Sequence, residues 1–112
     1  MAATVLKSDK ITVSAQDQAA TVLGFPSPGA VSVQITGTLS LTMTFEATVD
    51  GATWVAASMV PVGQQPAYAT PVSTATAVGI WSVPTFGLAG FRARCSAYTS
   101  GSPVVTIRYA AQ

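Results

Sequence analysis

Between Val31 and Trp54 the chain reads VSVQITGTLSLTMTFEATVDGATW, with apolar residues alternating with small hydroxyl-bearing ones over two successive runs. A period of two matches the pleat of a β-strand buried on one face, and it leaves no stripe for an amphipathic helix. The second run ends at Asp50-Gly51, a pair that favours tight hairpin turns, before a new apolar stretch begins. This pattern fixes the fold class as all-β and half-buried, and it offers no group for catalysis.

Turn chemistry then recurs along the whole chain. Breaks fall at residues 24–29, Gly37-Thr38, Asp50-Gly51, 61–66, 84–90 and 99–103, each rich in Gly, Pro, Ser or Asp. Between them the sequence predicts strands near residues 10–14, 19–24, 30–36, 39–49, 52–60, 67–74, 78–83, 90–98 and 104–110. Eight or nine short strands at such spacing mean an antiparallel β-sandwich, of jelly-roll or immunoglobulin-like type. The chain of 112 residues is read as one domain, with an N-terminal arm and first strands over 1–29 and the sandwich body over 30–112. That length buries roughly two-thirds of the unfolded chain's surface, so neither disulfides nor a metal is required to fold it. Cys95 is the single cysteine, and its alternating context makes it a small core side chain rather than a reactive thiol.

The hairpin register can be read further. A two-residue type I′ turn at Asp50-Gly51 sets Val49 opposite Ala52, Ala47 opposite Trp54 and Phe45 opposite Ala56, large against small. It also turns Val55 and Met59 outward and Ser58 inward. A bulge after Trp54 or a longer loop reverses that later part.

Charged residues form only 8% of the chain, against about 25% in an ordinary soluble domain. With a net charge of +1, bulk electrostatics calls for neither nucleic acid nor an anionic membrane as partner. No window approaches the roughly 20 apolar residues of a membrane span, and Lys7 to Lys10 interrupt the N-terminus too early for a secretory signal. A surface this poor in charge, with few groups to guard strand edges, belongs to a protein packed among others. The expectation is an oligomer, a trimer among the options, or a lattice-bound state.

One charge constellation stands out. In Phe91-Arg92-Ala93-Arg94-Cys95 the alternation puts Arg92 and Arg94 on one outer face, and in Val105-Thr106-Ile107-Arg108-Tyr109 it puts Arg108 outside. A hairpin through residues 99–103 sets Arg108 across from Arg92 or Arg94. Like charges so placed need a counter-charge, from Glu46 or from a neighbouring subunit. The arginines are then either solvated on an outer face or, with Glu46, candidate subunit contacts: Arg92, Arg94, Arg108 and Glu46.

Catalysis finds little support. The chain has no histidine, which removes the usual general base and the commonest metal ligand. Its four carboxylates are Asp9, Asp17, Glu46 and Asp50, of which Asp50 is taken by its turn. No phosphate-binding glycine loop, cysteine pair or calcium loop occurs, so no enzyme activity, cofactor or metal site is expected. Alternation buries Trp54, Trp81 and Tyr109, leaving Tyr68 and Tyr98 as either ordinary amphipathic tyrosines at strand ends or candidate ligand-facing aromatics.

Two resemblances bear on function. Thr48–Trp54, TVDGATW, looks like a shortened Asp-box, which is a hairpin-forming motif rather than a catalytic one. More broadly, VSVQITGT, TFEATVDGATWV, GIWSV and FRARCSAYTSGSPVVTIR, spread over roughly Ala30–Ala110, resemble a group of small tailed-phage virion proteins built on a sandwich. That resemblance implies a non-enzymatic structural protein, made in the host cytoplasm and resident in the virion. Within it, a capsid decoration or cement subunit bridging major capsid proteins is the leading expectation. The alternative is a receptor- or carbohydrate-binding module of a tail, baseplate or fibre.

Overall fold

The computed structural model describes residues 4–62 and 70–111, with side chains from Lys7 onward in the first segment. Its elements are β1 (Thr4–Thr12), β2 (Ala19–Leu23), β3 (Gly29–Thr36), β4 (Leu39–Thr48), β5 (Val55–Ala56), β6 (Val60–Pro61), β7 (Thr74–Ala75), β8 (Gly79–Pro84), β9 (Gly90–Gly101) and β10 (Val104–Ala111). They form two antiparallel sheets. Sheet A runs β1-β10-β3-β8-β6, and sheet B runs β2-β9-β4-β5 with β7 also paired to β4.

Alternation produces the core directly. Val31, Val33 and Ile35 of β3, Val105, Ile107 and Tyr109 of β10 and Trp81 of β8 line the inner face of sheet A. Facing them are Leu41, Met43 and Phe45 of β4, Phe91, Ala93 and Cys95 of β9, and Ala20 and Val22 of β2. The two layers meet at an aromatic pair, Phe45 and Trp81, whose ring centroids lie 5.5 Å apart. Each fully buried aliphatic or aromatic side chain here contributes about 1.5–3 kcal/mol relative to its exposed state.

The chain changes sheet at corners, which alternation does not reveal. β3 passes to β4 through Gly37 (φ 98°), and β9 passes to β10 through Gly101 (φ 103°). Gly101 is doubly constrained, because a Cβ there would lie 2.5 Å from the Thr38 carbonyl oxygen and 2.7 Å from Leu39 Cα. The Ser102 N–H donates to the Thr38 carbonyl at 3.1 Å, so the two corners are bonded back to back. Consequently β9 and β10 lie in different sheets. The expected β9–β10 hairpin does not form, and Arg108 stands opposite Ser8 and Ser32 rather than Arg92 or Arg94.

The Asp50 hairpin exists, with a longer loop than a type I′ turn. Six residues separate Thr48 from Val55, and the register pairs Ala47 with Val55 and Glu46 with Ala56. The shift of one residue reverses the later part: Met59 is fully buried, Ser58 is exposed, and Trp54 leaves the core face. The expected strand 52–60 divides into β5 and β6, which belong to opposite sheets. Of the expected strand 67–74, residues 67–69 lie outside the described segments; the remainder supplies a Met59–Val72 bridge and the start of β7. At the N-terminal end, the described residues from Thr4 to Thr12 pair with β10, so that part of the expected arm is an edge strand of sheet A.

Candidate functional site

Asp50 organises the loop between β4 and β5. Its Oδ1 accepts the backbone N–H of Ala52 (2.8 Å) and Thr53 (2.7 Å) and the Thr48 hydroxyl (3.0 Å), while Gly51 N–H donates to Thr48 Oγ1 at 3.0 Å. Gly51 takes φ 83°, a conformation open to a residue without Cβ. The Thr53 and Ala52 N–H groups, with the Thr48 hydroxyl, hold the Asp50 carboxyl far below its ordinary range. The TVDGATW resemblance is thus realised as hairpin geometry.

That loop lays Trp54 on the outer face of sheet B, where the Arg92 guanidinium carbon lies 4.4 Å from the ring centroid. Beneath it, Arg92 Nε donates to Glu46 Oε1 at 2.7 Å, and Arg94 donates to both Glu46 oxygens at 3.1 and 3.2 Å. Arg94 Nη1 also reaches Asp17 Oδ1 at 2.8 Å. Burial acts to raise the Glu46 pKa, but the hydrogen bonds and charges of Arg94 and Arg92 outweigh it and hold the carboxyl below its ordinary 4.5. Glu46 in turn raises Arg94. The counter-charge that the arginines require is therefore inside the subunit, and the four groups sum to zero. Such a cluster ties the loop between β1 and β2 to strands β4 and β9 and leaves no unpaired charge among its members.

Arg108 stands apart. It is exposed on the outer face of sheet A, and among the described residues it makes no salt bridge. Tyr98 is half-buried against the core, and its hydroxyl donates to the Gly101 carbonyl at 2.7 Å, so its polar end is already engaged. Tyr68 lies outside the described residues. Trp81 and Tyr109 are buried as expected, and the Tyr109 hydroxyl bonds the Ser27 carbonyl, tying the β2–β3 loop to β10. Cys95 is fully buried, and burial pushes its thiol pKa up, away from reactivity.

Two apolar surfaces lie outside the residues singled out from the sequence. At the end of the sandwich bearing the Asp50 loop, Ala47, Val49, Val55, Ala57 and Leu88 line a cleft of about 450 Å³. Leu23, at the end of β2, and Phe86, in the loop between β8 and β9, are also exposed. On the outer face of sheet A, Val60, Val62, Val78 and Ile80 are 41%, 53%, 56% and 40% exposed. A signal for the second was present in VGIWSV, where Val78 and Ile80 share the face opposite Trp81 and Val83. Among the described residues no group of three or more His, Cys, Asp or Glu could hold a metal ion.

The class defined by these features is a two-sheet antiparallel β-sandwich with sheet-switching corners, a self-neutralised ion cluster on one face and apolar patches elsewhere. No protein-family model matches the sequence, nor does any curated protein. Among solved structures the chain is similar to the SPBc2 prophage-derived protein YomS, with a TM-score of 0.66 at 15% sequence identity. The match covers 93% of this chain and 96% of that one, so the likeness in fold extends over nearly the whole length of both.

Proposed function

We propose that this chain is a non-enzymatic structural protein of a bacteriophage particle, a capsid decoration or cement subunit that bridges shell subunits. The observation that carries the reading is the surface: large apolar side chains lie open on a chain whose charged residues amount to 8%. Exposed apolar patches of this kind mark surfaces that bind other proteins. The likeness to a prophage-derived protein supports the phage setting, as does the run of virion-like segments between Ala30 and Ala110. Cement action follows from mass action: a subunit that binds only the assembled lattice stabilises that lattice in proportion to its occupancy. The carboxylates fit a structural role, since Asp9 accepts from Thr21 N–H at 3.0 Å while Asp17, Glu46 and Asp50 hold strands and a loop.

The test is quantitative mass spectrometry of purified parent particles. A copy number equal to the shell subunits, or a third of it, supports decoration of the head. A handful of copies moves the chain to the tail or a fibre, and absence from the particle overturns the proposal.

A further inference from the structure

Sorting the charged side chains by face divides the molecule sharply. On the outer face of sheet B, two carboxylates meet two guanidinium groups and cancel. Asp9 shares the inward-facing register of β1 with Ile107 and is directed to the edge of β2, where its Oδ2 accepts from Thr21 N–H. Asp50 is folded into its own loop. The outer face of sheet A is left with Lys10, paired in register with Thr106, and with Arg108, between Ser8 and Ser32. Among the described residues no carboxylate shares that face.

The same face carries the second apolar patch. Val60 pairs with Ser82, and Val62 N–H donates to the Ile80 carbonyl at 2.8 Å, so Val60, Val62 and Ile80 point the same way, with Val78 two residues from Ile80. Between the apolar edge and the cationic edge run Ser32, Ser82, Gln34 and Thr106, short or uncharged side chains that let another surface approach closely. A row across the sheet thus reads Ser8, Arg108, Ser32, Ser82 and Val60.

We infer that this outer face of sheet A is the docking face of the chain, and that its occupant is a protein surface bearing carboxylates beside an apolar ridge. The inference rests on the virion reading, because it names the face by which the subunit would hold the shell. Charge complementarity selects the occupant. A second copy presenting the same face would bring cations to cations with no carboxylate between them, which disfavours self-association there. An acidic surface instead supplies Arg108 with the bidentate partner its planar group accommodates, while the valines and Ile80 bury against the ridge.

The experiment adds purified chain to parent particles assembled without it, and measures retention by sedimentation at low and high salt. Arg108→Glu with Lys10→Glu reverses the cationic edge, Ile80→Asp interrupts the apolar one, and Ser100→Ala, on an exposed polar position of sheet B, serves as a control. All four positions are at least partly exposed, and thermal melts establish that each variant is folded. The inference expects retention of the wild-type chain to weaken with salt. It expects the double reversal to lower affinity by roughly tenfold or more and Ile80→Asp to do likewise, with Ser100→Ala unchanged. Wild-type retention that neither set of changes affects overturns the inference and leaves the virion reading standing. Failure of the wild-type chain to bind any particle overturns the virion reading itself. A homodimer in solution that Ile80→Asp dissociates would also overturn the inference, by making a second copy the occupant.

Discussion

Glu46→Gln isolates the charge at the centre of sheet B without removing its bulk. Glu46 accepts three hydrogen bonds, at 2.7, 3.1 and 3.2 Å, from two arginines. Hydrogen bonds to charged groups contribute about 1.5–3 kcal/mol each, and glutamine keeps one acceptor oxygen. The arginine side chains remain 25% and 26% exposed, so water recovers part of what the carboxylate supplied. The balance is a loss of about 2 kcal/mol, below the 3–5 kcal/mol of a fully buried pair broken on one side. Urea unfolding at neutral pH would register this as a midpoint lower by about 1 M, given slopes of roughly 1–3 kcal/mol per molar. The pH dependence has a defined sign. Because Glu46 titrates lower in the folded chain than its ordinary 4.5, its contribution is complete above that value and is lost as the pH falls through the folded value. The gap between wild type and Glu46→Gln therefore narrows on acidification. A gap under about 0.5 kcal/mol at pH 7, or one that persists unchanged in acid, would refute the reasoning, because it would locate the effect in packing or nowhere.

Three further outcomes are expected. Gly101→Ala combines a disallowed φ with a Cβ placed 2.5 Å from the Thr38 carbonyl, and calorimetry should find a loss of about 3 kcal/mol or more, or no soluble protein. Asp50→Ala should speed amide exchange at Ala52 and Thr53, whereas Asp50→Asn, which keeps an acceptor oxygen, should retain most of the protection; wild-type rates in Asp50→Ala would show that the side chain does not hold the loop. Tyr109→Phe removes the hydroxyl that joins β10 to Ser27 and should cost about 1–3 kcal/mol in chemical unfolding, with exchange quickening first in the β2–β3 loop.

The sequence specified which side chains face inward far better than which strands are neighbours. Residues 30–36 and 104–110, and 39–45 with Leu, Met and Phe, were legible because apolar side chains recur every second position and are buried with that period, which breaks after Phe45 where Glu46 and Thr48 are buried and Val49 is exposed. Period two says nothing of pairing partners. The chain 90–110 reads as a hairpin, yet Gly101 at φ 103° turns it between sheets, and only packing against Thr38 and Leu39 discloses why. The same limit governs the arginines. Their shared face was legible, and Glu46 was a candidate partner, but the β4–β9 register that sets Glu46 opposite Arg92 is a long-range property. Trp54 shows the local case: three hydrogen bonds to one Asp50 oxygen lengthen the loop and move the ring from the inner layer to the outer face. The outward setting of Val78 and Ile80 shows in the alternation, but whether anything covers such residues depends on where each sheet ends, which is a long-range property.

The pairing of Thr4 with Ala111 has a mechanical corollary. Because β1 and β10 run antiparallel with these residues on a common rung, tension applied at residues 4 and 111 acts across the ladder at one extremity. Pulled in that way, the strands peel apart like a zipper, each hydrogen-bonded rung taking the load in turn. Force delivered to the outer face of sheet A instead spreads over five strands joined side by side. The molecule is a weak tether and a stiff tile.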